Sequence, residues 1–224
     1  LLDRAEKLFQ QLSESPANRP RALGKLVGIY EQQQDWQQAI ATRKALASAA
    51  PSGIDRVLPH YYCELAAQAI GDRDYPLARQ HLKKAHAGAR KMIRSAMMRA
   101  DLATRADDTK TASRLYRQIA EQDRAFVSEV FVPLARSLRQ GGGEETLTRF
   151  VNGLIKKNSA VKDDIAYAAI LNDDLANPAV AACARSYIER HALLAQMLDD
   201  LGVTAGGESL DVATLVRVAN ALRT

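Results

Sequence analysis

The sequence predicts an all-α fold, a solenoid of stacked helical hairpins, and three observations predict it. Apolar residues recur at helical spacing along most of the 224 residues, and no strand-like alternation of useful length interrupts them. Hydrophobic residues make up 47% of the chain while aromatics supply only 5%, the balance of an Ala- and Leu-rich helical core. Ala5, Ala39, Ala78 and Ala112 recur at intervals of 34, 39 and 34 residues, each with an Asp two or four positions before it. A period near 34 belongs to a two-helix unit that cannot bury its apolar face alone and so stacks on others of its kind.

Residues 21–51 show the unit most plainly. Leu26, Tyr30, Ala39 and Pro51 stand at the offsets of the tetratricopeptide pattern. The Ala marks the crossing of the two helices, where a small side chain lets the backbones approach. Leu and Tyr fill the wedge between hairpins. Before this unit, residues 1–13 read as the second helix of a partial first repeat. The third repeat pairs 59–70 with 76–89, with Pro76 in a first helical turn. The fourth pairs 93–105 with 110–122. A fifth, degenerate unit runs 126–140, breaks at Gly141-Gly142-Gly143 and resumes over 144–157. A sixth pairs 160–171 with 178–191, and two further helices are expected at 193–201 and 210–222 around Gly206-Gly207. The organisation expected is therefore regular repeats over 1–125 and degenerate hairpins with C-terminal helices over 126–224, coiled as a right-handed superhelix.

Four residues after each packing Ala the pattern wants bulk, and Phe9, Leu82 and Tyr116 supply it. Arg43 is the departure; its aliphatic stem is expected along the groove with the guanidinium in water. Asp35, Asp74 and Asp108 precede the second helices, where an acidic side chain complements the helix N-terminus.

The formal charge of +5 and pI near 9.3 permit acidic partners or an anionic surface without demanding nucleic acid. No run approaches the roughly 18 apolar residues of a membrane span, and no secretory signal opens the chain. The chain begins inside an amphipathic helix without Met, so it is expected to be a piece of a longer protein. Cys63 and Cys183 lie outside any CxxC pair, which suits free buried thiols in a reducing compartment.

His60, Cys63 and Glu64, at i, i+3 and i+4, could share one helix face. Zinc needs three or four ligands and no second cluster exists, so first-helix packing is the plainer reading and no metal site is expected. No HExxH, GxSxG, phosphate loop or dinucleotide fingerprint occurs, and no catalytic residue is expected. A hairpin array binds through a concave face lined by its first helices. Counted from the packing Ala, that face should hold Gly24, Gly28 and Glu31, then His60, Cys63 and Ala67, then Arg94, Met97, Asp101 and Arg105. Gly24 and Gly28 each cost a helix interior about 1 kcal/mol relative to Ala; close helix packing and room for a partner both account for them. Arg79, Lys83, Lys84, Arg90, Lys91, Arg94 and Arg99 form a basic run with no acidic residue among them. It reads as a solvated surface or as a docking patch for an acidic partner or lipid headgroups.

LLDRAEKLFQQL, YEQQQDWQQAI, HYYCELAAQAI followed by LARQHLKKA, and IAEQDRAFVSEV resemble the cytoplasmic repeat region of the lipopolysaccharide assembly protein B family, also called LapB or YciM. The resemblance covers residues 1–142; from 143 to 224 it is one of helical pattern and order. HYYCEL and the QDR–VSE combination are its more specific parts. It implies a Gram-negative inner-membrane protein with an N-terminal span, repeats on the cytoplasmic face, and a C-terminal rubredoxin-like ribbon holding zinc or iron through two CxxC pairs. Neither span nor ribbon is in this sequence, so no cofactor is expected here and membrane contact would come only through that span. The role implied is that of a non-catalytic adaptor presenting the LpxC deacetylase to the membrane protease FtsH, with other envelope-assembly proteins as further partners, no nucleic acid, and a homo-oligomer left open. A structural scaffold for an envelope-assembly complex is the alternative reading, and a metal-dependent enzyme a third.

Overall fold

In the computed structural model, residues 2–50 and 55–200 are described, without the side chains of 192–200. Among these residues the regular structure is wholly helical: α1 (Leu2–Glu14), α2 (Arg19–Gln33), α3 (Trp36–Ala49), α4 (Leu58–Gly71), α5 (Tyr75–Gly88), α6 (Ile93–Arg105), α7 (Thr109–Gln122), a 3₁₀ turn (Arg124–Phe126), α8 (Val127–Lys157), α9 (Val161–Leu171) and α10 (Pro178–Asp200). The chain divides into two compact units, Leu1–Leu102 and the residues from Ala103 onward.

Three of the hairpin turns are built from the same two-residue device. Gln34, Arg73 and Asp107 take the left-handed conformation, with φ of 56°, 61° and 54°. The next residue in each case, Asp35, Asp74 or Asp108, caps the second helix, its Oδ1 accepting the backbone N–H three residues on at 3.0 Å. A cap of this kind contributes about 1 kcal/mol. Four residues after these aspartates, Ala39, Ala78 and Ala112 are wholly buried at the helix crossings. Ala5, in the partial first repeat, is only half-buried, and no residue of α1 is fully covered.

Within the first unit, α1 packs on α2, α2 on α3, α3 on α4 and α4 on α5. One core cluster gathers Leu23, Leu26, Val27, Tyr30, Ala39, Ile40, Tyr61 and Leu65; the other centres on Cys63, Ala66, Ala69, Ala78, Leu82, Ala85 and Leu102. The structure corrects the expectation for Arg43. Its guanidinium does not run out to water: Nε donates to Asp55 Oδ2 at 2.5 Å and the group lies 6.0 Å from the Tyr61 ring centroid. Burial alone would push the Asp55 carboxyl up, but the bond from Arg43 and the N–H groups of Val57 and Leu58 hold it below the ordinary carboxylate value.

In the second unit α7 packs on α8, α8 on α9 and on α10, and α9 on α10. The side chains of Val127, Val130, Phe131, Leu134, Leu147, Val151, Val161, Ile165 and Val180 are almost completely buried. As the three glycines predict, α8 is broken: Gly142 and Gly143 leave helical geometry and divide it into 127–141 and 144–157. Gly143, at φ 69° and ψ −173°, sits where only glycine is comfortable. Thr146 restarts the helix, its hydroxyl donating to the Gly142 carbonyl at 2.7 Å. Two polar devices hold the break in place. Arg139 binds Asp174 through both terminal nitrogens, at 2.9 and 2.6 Å, and Glu144 through Nε at 2.6 Å. Asn177, fully buried, caps α10 by accepting from Ala179 and Val180, and its amide donates to Glu144 and Thr148.

The C-terminal expectation is partly revised. A single helix runs from Pro178 to Asp200 where two were expected, because no Gly or Pro separates 178–191 from 193–200. The helix expected at 210–222 lies outside the described residues.

Candidate protein-binding surface

The first helices of the first unit carry the expected surface. On α2, Gly24, Gly28 and Glu31 follow the i, i+4, i+7 spacing that aligns side chains along one side of a helix. Gly24 is exposed and Gly28 half-buried, and a Cβ built at either would meet nothing within 4 Å. Close helix packing therefore does not account for these glycines; what they leave is open surface. On α4, His60 and Ala67 are exposed; on α6, Arg94 and Asp101 are exposed and Met97 is half-buried. Arg105, also exposed, belongs to the second unit.

Cys63 is the correction. It is completely buried against Ala66, Ala78 and Leu82, so it lines no surface. Burial pushes its thiol up to about 11. It also parts company with its supposed co-ligands, since His60 faces solvent and Glu64 is bonded to Arg94 at 2.5 Å. Among the described residues no three His, Cys, Asp or Glu groups come together in a way that could hold a metal. The residue that shares the open side with His60 and Ala67 is Glu64, at i+4 from His60. Its spacing was legible in the sequence; its partner was not.

That partner reveals a pattern beyond the consensus positions. Glu31 on α2 accepts the hydroxyl hydrogen of Tyr61 on α4, and Glu64 on α4 accepts from Arg94 on α6. Both pairs span 30 residues, and the second is the first displaced by 33, one repeat along. Each first helix thus offers a carboxylate to the next. Before them, Glu6 of α1 accepts from Tyr30 at 3.2 Å and from Gln33 at 3.3 Å. Burial, and then the bond to Glu31, pushes the Tyr61 hydroxyl up to about 12, so it remains a donor at any physiological pH. Trp36, stacked at 5.8 Å, and Arg43 pack against the same ring.

The basic run is distributed over the exposed side of α5, the turn after it and α6. Arg79, Lys83, Lys84, Arg90 and Lys91 are exposed, as is Arg94, which is tied to Glu64; Arg99 is half-buried. Lys84 and Lys44 lie 5.7 and 5.9 Å from the Tyr62 ring centroid. His81, stacked on Tyr62 at 6.4 Å, is lowered in pKa by burial and then by Lys84, so it adds no charge near neutrality.

These features define a helical-hairpin repeat protein whose first helices present an open, partly glycine-lined surface. No protein-family model matches the sequence. The chain is similar to curated proteins named lipopolysaccharide assembly protein B. It is 29% identical to that of Escherichia coli K12 over 192 residues, 85% of this chain and 49% of the relative; the Escherichia coli O157:H7 protein gives the same figures. The Haemophilus influenzae protein of that name is 24% identical over 218 residues, 93% of this chain and 54% of the relative. The resemblance carried by the residue motifs is thus borne out, and it extends further than they did, because 192 aligned residues run well past residue 142. The chain spans about half the length of the curated relatives it matches. Among the described residues no helix is long and apolar enough to cross a membrane.

Proposed function

We propose that this chain is the helical-repeat portion of a non-catalytic adaptor in lipopolysaccharide assembly, one that presents the LpxC deacetylase to the membrane protease FtsH on the cytoplasmic face of the inner membrane. The observation that carries the reading is the alignment of 85% of the chain with lipopolysaccharide assembly protein B. The fold supports it, because stacked hairpins with open glycines at Gly24 and Gly28 offer room for another protein's backbone. The exposed cations Arg79, Lys83 and Arg90 form the second contact region, for an acidic part of a partner. Anchorage by an N-terminal span and a zinc or iron ribbon belong to the same proposal. Cys63 and Cys183, both buried and in separate units, do not fit such a ribbon, which other sequence would have to supply.

The test is affinity capture from cells making the complete protein, with FtsH and LpxC quantified. The parent should retain both. Gly24→Leu with Gly28→Leu should lose at least one of them by about tenfold, as should the triple reversal of Arg79, Lys83 and Arg90 to Glu. Retention of other assembly proteins but neither of these two would assign the chain to a structural scaffold instead.

A further inference from the structure

The second unit carries a cleft of about 240 Å³ between α7 and the second segment of α8. None of its residues belongs to the first-helix surface or to the basic run. Its lining includes Arg117, Glu121, Arg149, Phe150, Gly153 and Lys157. Three cations thus surround one carboxylate, and that carboxylate is already engaged, since Lys157 Nζ donates to Glu121 at 3.1 Å. Arg149 is exposed and has no partner among the described residues. The Arg117 guanidinium lies 5.2 Å from the Phe150 ring centroid, a stacking that steadies it while leaving its in-plane N–H groups to bind an acceptor.

Gly153 supplies a second, steric observation. It sits in a helix interior, where glycine costs about 1 kcal/mol relative to Ala. A Cβ there would meet nothing within 4 Å, so no neighbour requires its absence. The space it leaves opens onto the cleft beside Phe150 and Leu154.

We propose that this cleft binds an acidic peptide segment of a partner protein, a carboxylate seated on Arg149 and Arg117 and an adjacent apolar side chain filling the space beside Gly153, next to Phe150. The N–H fork of a guanidinium matches carboxylate geometry, and the cleft is lined by two of them, Arg117 and Arg149. Phe150 and Leu154 are themselves buried, and the small carbon surface they leave at the cleft beside Gly153 adds what a bare phosphate cannot use, roughly 25 cal/mol for each Å² of apolar ligand covered. The proposal goes beyond the adaptor reading and does not depend on which proteins that reading names.

The test is selection of random peptides of about twelve residues displayed against the protein, followed by affinity measurement on the enriched sequences. Peptides with two or more Asp or Glu beside Leu, Ile or Phe should be enriched. Their affinity should fall about tenfold or more in Arg149→Glu and, independently, in Gly153→Leu, which fills the cleft without touching its charge. Arg4→Glu, the same charge change at an exposed residue of α1 in the other unit, should bind as the parent does, and circular dichroism should show unaltered helix in all three. Enrichment of no acidic–apolar class, or enriched peptides that bind both cleft variants within about twofold of the parent, would overturn the proposal. Tighter Arg149-dependent binding of a single-stranded oligonucleotide than of any enriched peptide would assign the cleft to nucleic acid and overturn it as well.

Discussion

Replacing Asn177 separates two roles that the structure assigns to one buried side chain. Its Oδ1 caps α10, accepting from Ala179 N at 3.1 Å and Val180 N at 3.4 Å. Its Nδ2 donates to the Glu144 carbonyl at 3.2 Å, the Glu144 carboxylate at 2.7 Å and Thr148 Oγ1 at 2.9 Å. Asn177→Ala removes both. Loss of the cap costs about 1 kcal/mol. The lost bond to a charged acceptor costs roughly 1.5 kcal/mol, the lower end of its range because half of the Glu144 side chain is already in solvent. The sum is about 2–3 kcal/mol, read as a lower urea midpoint for the second unit by far-UV circular dichroism. Asn177→Asp is the discriminating variant. It keeps the cap acceptor and adds a favourable charge at the helix N-terminus, but it turns the donor into a second carboxylate beside Glu144. If the donor matters, this variant is at least as unstable as Asn177→Ala at pH 7. It then regains stability as pH falls through the carboxylate range, where a shared proton restores a donor. An Asp variant as stable as the parent at pH 7, or an Ala variant within about 0.5 kcal/mol of it, would refute the reasoning.

Asp55→Asn should destabilise the first unit by about 1–2 kcal/mol at pH 7, because the amide loses the charge-assisted bond from Arg43. The folded-state pKa of Asp55 is depressed, so its contribution is complete above the ordinary Asp value near 3.9 and is lost as pH falls through the lower folded value; the gap between variant and parent should close below about pH 4. A gap independent of pH would show that the charge on Asp55 does not account for the loss. Burial and a raised pKa make both thiols inert in the native protein. An aromatic disulfide reagent at pH 8 should therefore label Cys63 and Cys183 only once urea unfolds the chain, and rapid native labelling would contradict the buried placement. Gly143→Ala should cost about 1–3 kcal/mol, since the left-handed φ of 69° with extended ψ admits essentially glycine alone. Gly142→Ala would drive a methyl to within 2.4 Å of Thr146 Oγ1, at a cost set by how far that side chain can rotate. A thermal scan in which both variants melt with the parent would mean that the break in α8 lies elsewhere.

The sequence alone determined most of the helices and their turns, the unbroken run of α10 past residue 191 excepted. Asp35, Asp74 and Asp108, the buried alanines and Gly141-Gly142-Gly143 act within about four positions along the chain, so their meaning is local and can be read without a fold. It also carried the basic run and the likeness to lipopolysaccharide assembly protein B. What it left open needed neighbours from the next helix or the next repeat. Gly24 and Gly28 suited close packing and open surface equally until the space around them could be measured. Cys63 shares helical spacing with His60 and Ala67, yet it points into the core, because α4 is covered on that side by Ala78 and Leu82 of α5. The pairing of Glu31 with Tyr61 and Glu64 with Arg94, the capture of Arg43 by Asp55, and the hold of Asn177 on the broken helix join groups 12 to 33 residues apart. Periodicity fixes the face of a helix to within a side chain or so. Which polar group then meets which is decided only when the hairpins stack.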